Sequence, residues 1–160
     1  MAMLMNPALG YNFLITFVDS SSALATSVSA IQHVALGGFS ECSGLETSQK
    51  IEEYNEGGRN SEVLKFPGRV SWNNIVLKRG VTSNTDLWNW YYSFVEGRGK
   101  RRDGVIVLQN DLHSPVNIWN FKRGLPAKWT GPSMNASQNN VAIEAIEIAH
   151  EGLMQMSPGA

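Results

Sequence analysis

Apolar and polar residues alternate along most of this chain; they rarely recur at the three-to-four-residue spacing of a helix. In Tyr11–Asp19, Tyr11, Phe13, Ile15 and Phe17 point one way, and Asn12, Leu14, Thr16 and Val18 the other. A period of two predicts a strand with one strongly apolar face. Further strands are expected around His33–Ser40, running into Gly44, and over Thr47–Tyr54. Val63–Phe66 reads as a short strand stopped by Pro67-Gly68. Val70–Val81 reads as a longer one, with Ile75 and Leu77 opposing Val76. Gly104–Asn110, Pro115–Arg123 and Leu125–Thr130 add three more. Val141–His150 changes phase, with Val141 and Ile143 on one side and Ile146 and Ile148 on the other. A strand with a bulge explains the change. A helix is the rival, since Glu144 and Glu147 would share a face, but the β-branched neighbours favour the strand.

One segment has helical spacing. Leu87, Tyr91, Phe94 and Val95 line one face, and Trp88 widens it. Ser83 is the expected N-cap, with Asp86 three residues later at the positive end of the helix dipole. Gly97 and Gly99 end the helix. Leu87, Tyr91 and Phe94 are expected to anchor it. The Ser/Ala-rich stretch at 20–30 and the polar stretch Gly131–Asn140 read as loops. The result is a mainly β chain of roughly seven to nine strands with one helix, in the range of sandwiches and barrels. At 160 residues a single domain over 1–160 is expected.

The segment 47–58 breaks the pattern. Gln49, Lys50, Glu52, Glu53 and Asn55 put polar groups on both faces of the third strand, and only Ile51 and Tyr54 are apolar. Asn55-Glu56-Gly57-Gly58 then supplies a glycine turn. A strand wet on both sides suits a protruding hairpin or the wall of a water-filled channel. The expectation is an arm that touches a neighbouring subunit.

Composition narrows the class. Charged residues make up only 17% of the chain, low enough to suggest surface buried against other subunits. The formal charge of −1 predicts no partner, but its distribution is uneven. Residues 1–77 carry 7 acids and 4 bases, 78–128 carry 9 bases and 4 acids, and 129–160 carry 3 acids and no base. Such blocks suit contacts between copies. The single cysteine, Cys42, excludes an intrachain disulfide framework and fits a reducing cytoplasm. No apolar run approaches the roughly 20 residues of a membrane span. Phe13–Val18 followed by a Ser/Ala stretch imitates a signal peptide. It lacks a basic start and ends at Asp19, so no cleaved leader is expected.

Candidate chemistry is sparse. His33, His113 and His150 lie far apart, without paired metal-ligand spacing. Cys42 has no nucleophile signature around it, and a packed free cysteine is the ordinary case. Gly37-Gly38 and Gly57-Gly58 are not followed by the Gly-Lys-Ser/Thr of a phosphate loop. Glu52, Glu53 and Glu56 have no partner cluster for a glycosidase pair and read as solvated charge. No catalytic residue, cofactor or metal site is expected. Gly97–Arg102 is the one basic cluster. With five tryptophans in the chain, it raises the alternative of a small β-barrel binding single-stranded nucleic acid. Core packing accounts better for Trp88, Trp90 and Trp119, and the cluster also complements the negative end of the helix.

Several pieces, taken in order, resemble the tail-tube subunits of contractile phages and phage-tail-like injection systems. They are Ser43-Gly44-Leu45, Glu53-Tyr54 before the glycine turn, Phe66-Pro67-Gly68, Val76-Leu77-Lys78-Arg79-Gly80 and Leu87-Trp88-Asn89-Trp90. The Ala136–Glu144 region is also similar, and the likeness runs from Tyr11 to about Leu153. The resemblance implies two packed antiparallel β-sheets, a barrel-like sandwich, with one flanking helix. It implies six copies in a ring whose inner sheets form one β-barrel around a lumen, with rings stacked inside a contractile sheath. It implies as partners the chain itself, a sheath protein, baseplate and tube-terminator proteins, and a lumen cargo; membrane insertion and specific nucleic acid are not implied. Synthesis in the bacterial cytoplasm, assembly into a particle and extracellular release would follow. A baseplate-proximal tube initiator is the alternative within the family. On this reading Lys50, Glu52, Glu53, Tyr54, Asn55 and Glu56 form a subunit or ring interface, and Lys100, Arg101 and Arg102 contact the sheath.

Overall fold

The computed structural model describes residues 12–19, 38–58, 61–137 and 139–157. The loop expected at 20–30 and the first part of the strand expected around His33–Ser40 lie outside them. Nine strands and one helix are described: β1 (Phe13–Asp19), β2 (Glu41–Ser43), β3 (Thr47–Tyr54), β4 (Leu64–Trp72), β5 (Ile75–Gly80), α1 (Asp86–Val95), β6 (Arg102–Gln109), β7 (Pro115–Thr130), β8 (Ile143–Ala149) and β9 (Gly152–Met156).

All strand pairs are antiparallel. Seven strands follow the order β1-β6-β7-β8-β5-β2, with β9 also on β7; β3 and β4 form a separate two-stranded sheet. The long β7 is the joint. Its first half pairs with β6 and β9, and its second half pairs with β8. Between them Arg123 takes φ 53, and the strand turns the corner. An outer sheet, β1-β6-β7-β9, therefore packs over an inner sheet, β7-β8-β5-β2. The architecture is a sandwich, not a closed barrel.

The core lies between these sheets. Ile15 and Phe17 from β1, Ile106 from β6 and Phe121 from β7 meet Ile75 and Leu77 from β5 and Ile146 and Ile148 from β8. Alternation explains their choice, because the pairs on β1, β5 and β8 each lie two residues apart. Leu87 and Trp90 bring the helix into the same cluster. A second cluster, Val105, Val107 and Ile118 with Leu14, lies on the other face of the outer sheet. Register puts Leu14, Val107 and Ile118 in one row, out of phase with Ile15, Ile106 and Trp119. The outer sheet is thus apolar on both faces.

Several sequence expectations need correction. Pro67-Gly68 does not stop a strand: β4 runs through both residues to Trp72. Pro67 lies opposite Ile51, next to a register shift between Gln49 and Ile51. The chain pairs only on one side there, so the missing N–H of proline breaks no ladder. A Cβ on Gly68 would come within 2.7 Å of the Lys50 carbonyl, so the bulge needs glycine. Val70–Val81 is two strands, broken at Asn73-Asn74. The helix caps at Thr85 rather than Ser83, without a side-chain cap, and the Asn84 side-chain oxygen accepts from the Asp86 N–H at 2.8 Å. Trp90, not Tyr91 or Phe94, joins Leu87 as the fully buried anchor. The last strand is a strand but carries no bulge against β5, where register runs unbroken from Ile75–Ile148 to Gly80–Ile143. The phase change arises because Glu144 fills an inward position. Strand β9 was not anticipated.

Candidate assembly surfaces

Three features stand out from the sandwich: the β3–β4 arm, the helix with its following basic loop, and a buried ion pair that ties the approach to the helix to the inner sheet.

The arm is exposed along its whole first strand. Residues directly opposite one another in an antiparallel pair share a face. Tyr54 faces Leu64, Glu52 faces Phe66, Gln49 faces Val70 and Thr47 faces Trp72. One face of the arm therefore gathers Tyr54, Leu64 and Phe66, while the extra β4 residue at the register shift puts Val70 and Trp72 with Ile51 on the other face. The other carries Glu53 opposite Lys65, 3.7 Å apart. That surface pair contributes at most about 1 kcal/mol. The arm exposes apolar side chains on both faces, which β3 alone conceals, because they come mainly from β4. Tyr54 is 58% exposed, Phe66 51% and Val70 46%. Asn55 and Glu56 lie exposed near the tip. At the base, Trp72 meets His150, with rings 6.1 Å apart. Gly44 sets the entry: at φ 84, an added Cβ would lie 2.0 Å from the Asn74 carbonyl oxygen.

The basic cluster is split by the fold. Lys100 is exposed. Arg101 is half-buried, donating to Glu151 at 2.8 Å and to the Arg123 carbonyl at 3.2 Å. Arg102 lies over the Trp90 ring, 5.1 Å from its centroid. The Trp90 indole N–H donates to the Lys100 carbonyl at 2.9 Å, fixing the loop on the helix. Arg98, Lys100 and Arg102 line a cleft of about 240 Å³ with Asp86, Asn89 and Ser93. On the adjacent helix face, Trp88 stacks on Tyr92 at 5.6 Å and meets Trp129 edge-on at 4.7 Å. Trp90 is buried beneath Arg102 and offers no open ring for a stacked base.

The sequence reading missed the buried pair Arg79–Glu144. Arg79 is 2% exposed and Glu144 7%. Arg79 Nε donates to Glu144 Oε1 at 2.6 Å, and Nη2 donates to the Asn84 carbonyl just before α1 at 2.8 Å. Trp129 Nε1 donates to Glu144 Oε2 at 3.2 Å. The pair thus joins β5, β8, β7 and the approach to the helix. The signal was a charged residue at an inward position of two otherwise alternating strands.

Among the described residues no cluster of three metal-ligating side chains occurs. Cys42 is half-buried against the core, and burial pushes its thiol up to about 11, away from nucleophilic thiolate chemistry. His150 Nε2 donates to the Asn73 carbonyl, 3.0 Å away, as a packed side chain at the arm base. No described helix is long and apolar enough to cross a membrane.

Residues 11–154 match the family model of the T4-like virus tail tube protein gp19. The fold is similar to a chain of the PVC extracellular contractile injection system, seen in its extended sheath–tube complex. There the TM-score is 0.78 and the identity 25%, over 96% of this chain and 94% of the other. A chain in the baseplate structure of the anti-feeding prophage shares the fold at TM-score 0.79 and 23% identity, over 97% and 99%. A type six secretion system protein shares it more distantly, at TM-score 0.54 and 9% identity, over 91% and 82%. No curated protein sequence matches.

Proposed function

The chain belongs to the T4-like virus tail tube protein family, and on that premise we propose that it is the repeated subunit of the inner tube of a contractile injection system. In this reading six copies close a ring, rings stack around a lumen, and a contracting sheath drives the tube into a target. The carrying observation is the two-stranded arm, whose exposed apolar side chains Ile51, Tyr54, Phe66 and Val70 have no core of their own to cover them. An isolated two-stranded hairpin is marginal in water. A neighbouring copy that buried the exposed half of Phe66 would stabilise the arm by about 1 kcal/mol. Lys50, Glu52, Glu53, Tyr54, Asn55 and Glu56 then lie at the copy–copy contact, with Leu64, Phe66 and Val70 supplying its apolar part.

Sheath, baseplate and tube-terminator proteins are the further partners. The PVC relative, seen in a sheath–tube complex, supports the sheath among them. Lys100 and its cleft, beside the exposed Trp88–Tyr92 face, form the sheath-facing surface in this reading. The host is a bacterial cell in whose cytoplasm the subunit is made, and the finished particle acts outside it. Negative-stain electron microscopy of the purified protein tests the proposal. Hollow tubes or six-membered rings are expected. A monomer that stays dispersed at high concentration and binds oligonucleotides with steep salt dependence would overturn it.

A further inference from the structure

The arm leaves the sandwich at a small root. Its two strands pack mainly on each other. They reach the body through Glu46 before β3 and Asn73-Asn74 after β4. The Asn73 N–H donates to the Glu46 carbonyl at 3.2 Å, and the Asn73 side-chain amide donates to Glu46 Oε2 at 2.5 Å. The Asn74 side-chain amide donates to Glu147 Oε1 on β8 at 2.7 Å. Beside this root lies His150, from the turn between β8 and β9. Its ring sits between Trp72, the last residue of β4, and Phe121 of the core, with centroids 6.1 Å from each.

His150 makes one hydrogen bond and leaves its other ring nitrogen without a partner. Nε2 lies 3.0 Å from the Asn73 carbonyl, which can only accept, so Nε2 carries the proton. Nδ1 is then an acceptor, buried and without a donor. An unpaired buried polar atom is a cost to the fold. Phenylalanine would fill the place between two aromatic rings without that cost. What phenylalanine cannot do is hold the Asn73 carbonyl, on the first residue beyond the arm. Leverage makes this bond matter. Eight residues of β3, at about 3.3 Å each, give an arm of about 26 Å. A swing of about 10° at the root moves the tip by about 5 Å, roughly one strand spacing.

We propose, resting on the tube reading above, that His150 is a positioning residue for the arm. By donating from Nε2 to the Asn73 carbonyl it fixes the angle of the arm in the free subunit, so that the arm meets a neighbouring copy already aimed. Preorganisation of this kind lowers the ordering cost of association. The role is separate from holding the sandwich together, because His150 touches the core at Phe121 and is not one of its buried apolar residues.

A distance measurement on isolated subunits tests the angle directly. Nitroxide labels at Ser61→Cys, near the arm tip, and Lys128→Cys, on β7, both exposed positions, are placed in a Cys42→Ala background. Pulsed electron resonance then reads the tip-to-body distance, and a single narrow distribution is expected. His150→Gln, whose Nε2 can still donate, should keep it narrow. His150→Phe, which keeps a ring and loses the donor, should broaden it or shift it by about 5 Å. His150→Ala repeats the loss without the added ring. In unlabelled protein, His150→Phe should raise the concentration at which tubes form by about tenfold, and His150→Gln by no more than about threefold, with melting midpoints close to that of the unsubstituted subunit. An equally narrow, unshifted distribution in His150→Phe and His150→Ala would overturn the positioning role and leave the tube reading standing. A broad distribution in the unsubstituted subunit would do the same, since the arm would not be aimed before assembly. Loss of tubes matched by a fall in melting midpoint would make His150 a merely structural residue and overturn the proposal. Broadening with no change in the tube-forming concentration would overturn the link to assembly. If the unsubstituted protein forms no tubes, the tube reading falls and the assembly role with it, and the distance distributions still decide whether His150 holds the arm.

Discussion

Replacing Glu144 by leucine would remove the Glu144 carboxylate from the buried Arg79 guanidinium while leaving its bond to the Asn84 carbonyl. Removing one partner of a buried ion pair costs about 3–5 kcal/mol, because the remaining charge stays desolvated. Folding stabilities are only about 5–15 kcal/mol in total, so the loss is a large fraction. In urea, with a slope of about 1–3 kcal/mol per molar, the midpoint of the isolated subunit should fall by about 2 M. Glu144→Gln is a gentler test. Its amide oxygen can still accept from Arg79 Nε, but its NH₂ then faces the Trp129 N–H, donor against donor. Losing the charge-assisted bond costs about 1.5–3 kcal/mol. The double substitution Arg79→Met with Glu144→Leu removes both charges and should recover most of the loss, giving a coupling of several kcal/mol in a double-mutant cycle. The reasoning fails if Glu144→Leu shifts stability by less than about 1 kcal/mol, or if the double substitution costs the sum of the singles.

Leu87 is fully buried, so Leu87→Ala should cost about 2–5 kcal/mol; an unchanged melting midpoint would remove it from the core. Deleting Asn55–Gly58, or replacing Phe66 by serine, should leave a folded subunit by circular dichroism that forms few or short tubes; normal-length tubes would take the arm out of assembly. Lys100→Glu should weaken sheath co-assembly at low salt while leaving tubes intact, whereas Arg101→Ser should lower subunit stability by no more than about 1 kcal/mol, since its ion pair is surface-exposed. Cys42 favours the neutral thiol in the fold, because burial raises its pKa from 9.0 to about 11. That contribution is present below about pH 9 and is lost as pH rises toward 11, because the unfolded chain releases the proton first. Cys42→Ala should flatten this part of the stability profile, and alkylation of the native thiol should stay slow until the pH exceeds about 10.

Alternation made the inward residues of β1, β5 and β6 legible, because each strand buries one row of branched or aromatic side chains against the same core. It failed where a polar residue took an inward place. Glu144 interrupted the row of Ile146 and Ile148, and a bulge was the cheaper local explanation until Arg79 was seen across the strands. It failed again where apolar residues of one face sit on two strands. Tyr54 and Phe66 share a side of the arm, yet β3 read alone has nothing to bury. Arg123-Gly124 looked like a break between two strands, and only the register with β8 and β9 makes them a corner within one. Strand β9, Gly-Leu-Met-Gln-Met, has no strong strand preference of its own and forms because β7 offers it a ladder. Of the candidate site, the arm and the basic loop were visible as composition. Which of their side chains remain available was decided by contacts such as Arg102 on Trp90, which no local spacing encodes.

The corner in β7 also has a mechanical meaning. A tube pushed lengthwise into a resisting barrier experiences shear between its inner and outer layers. In a sandwich held only by side-chain packing, that load would fall on van der Waals contacts, which slide. Here a single backbone passes from one layer into the other, and the β8–β9 ribbon follows it around the same bend. Force entering at either wall is transmitted along covalent bonds and two flanking ladders of hydrogen bonds. The layers cannot slip past each other without tearing a strand out of register.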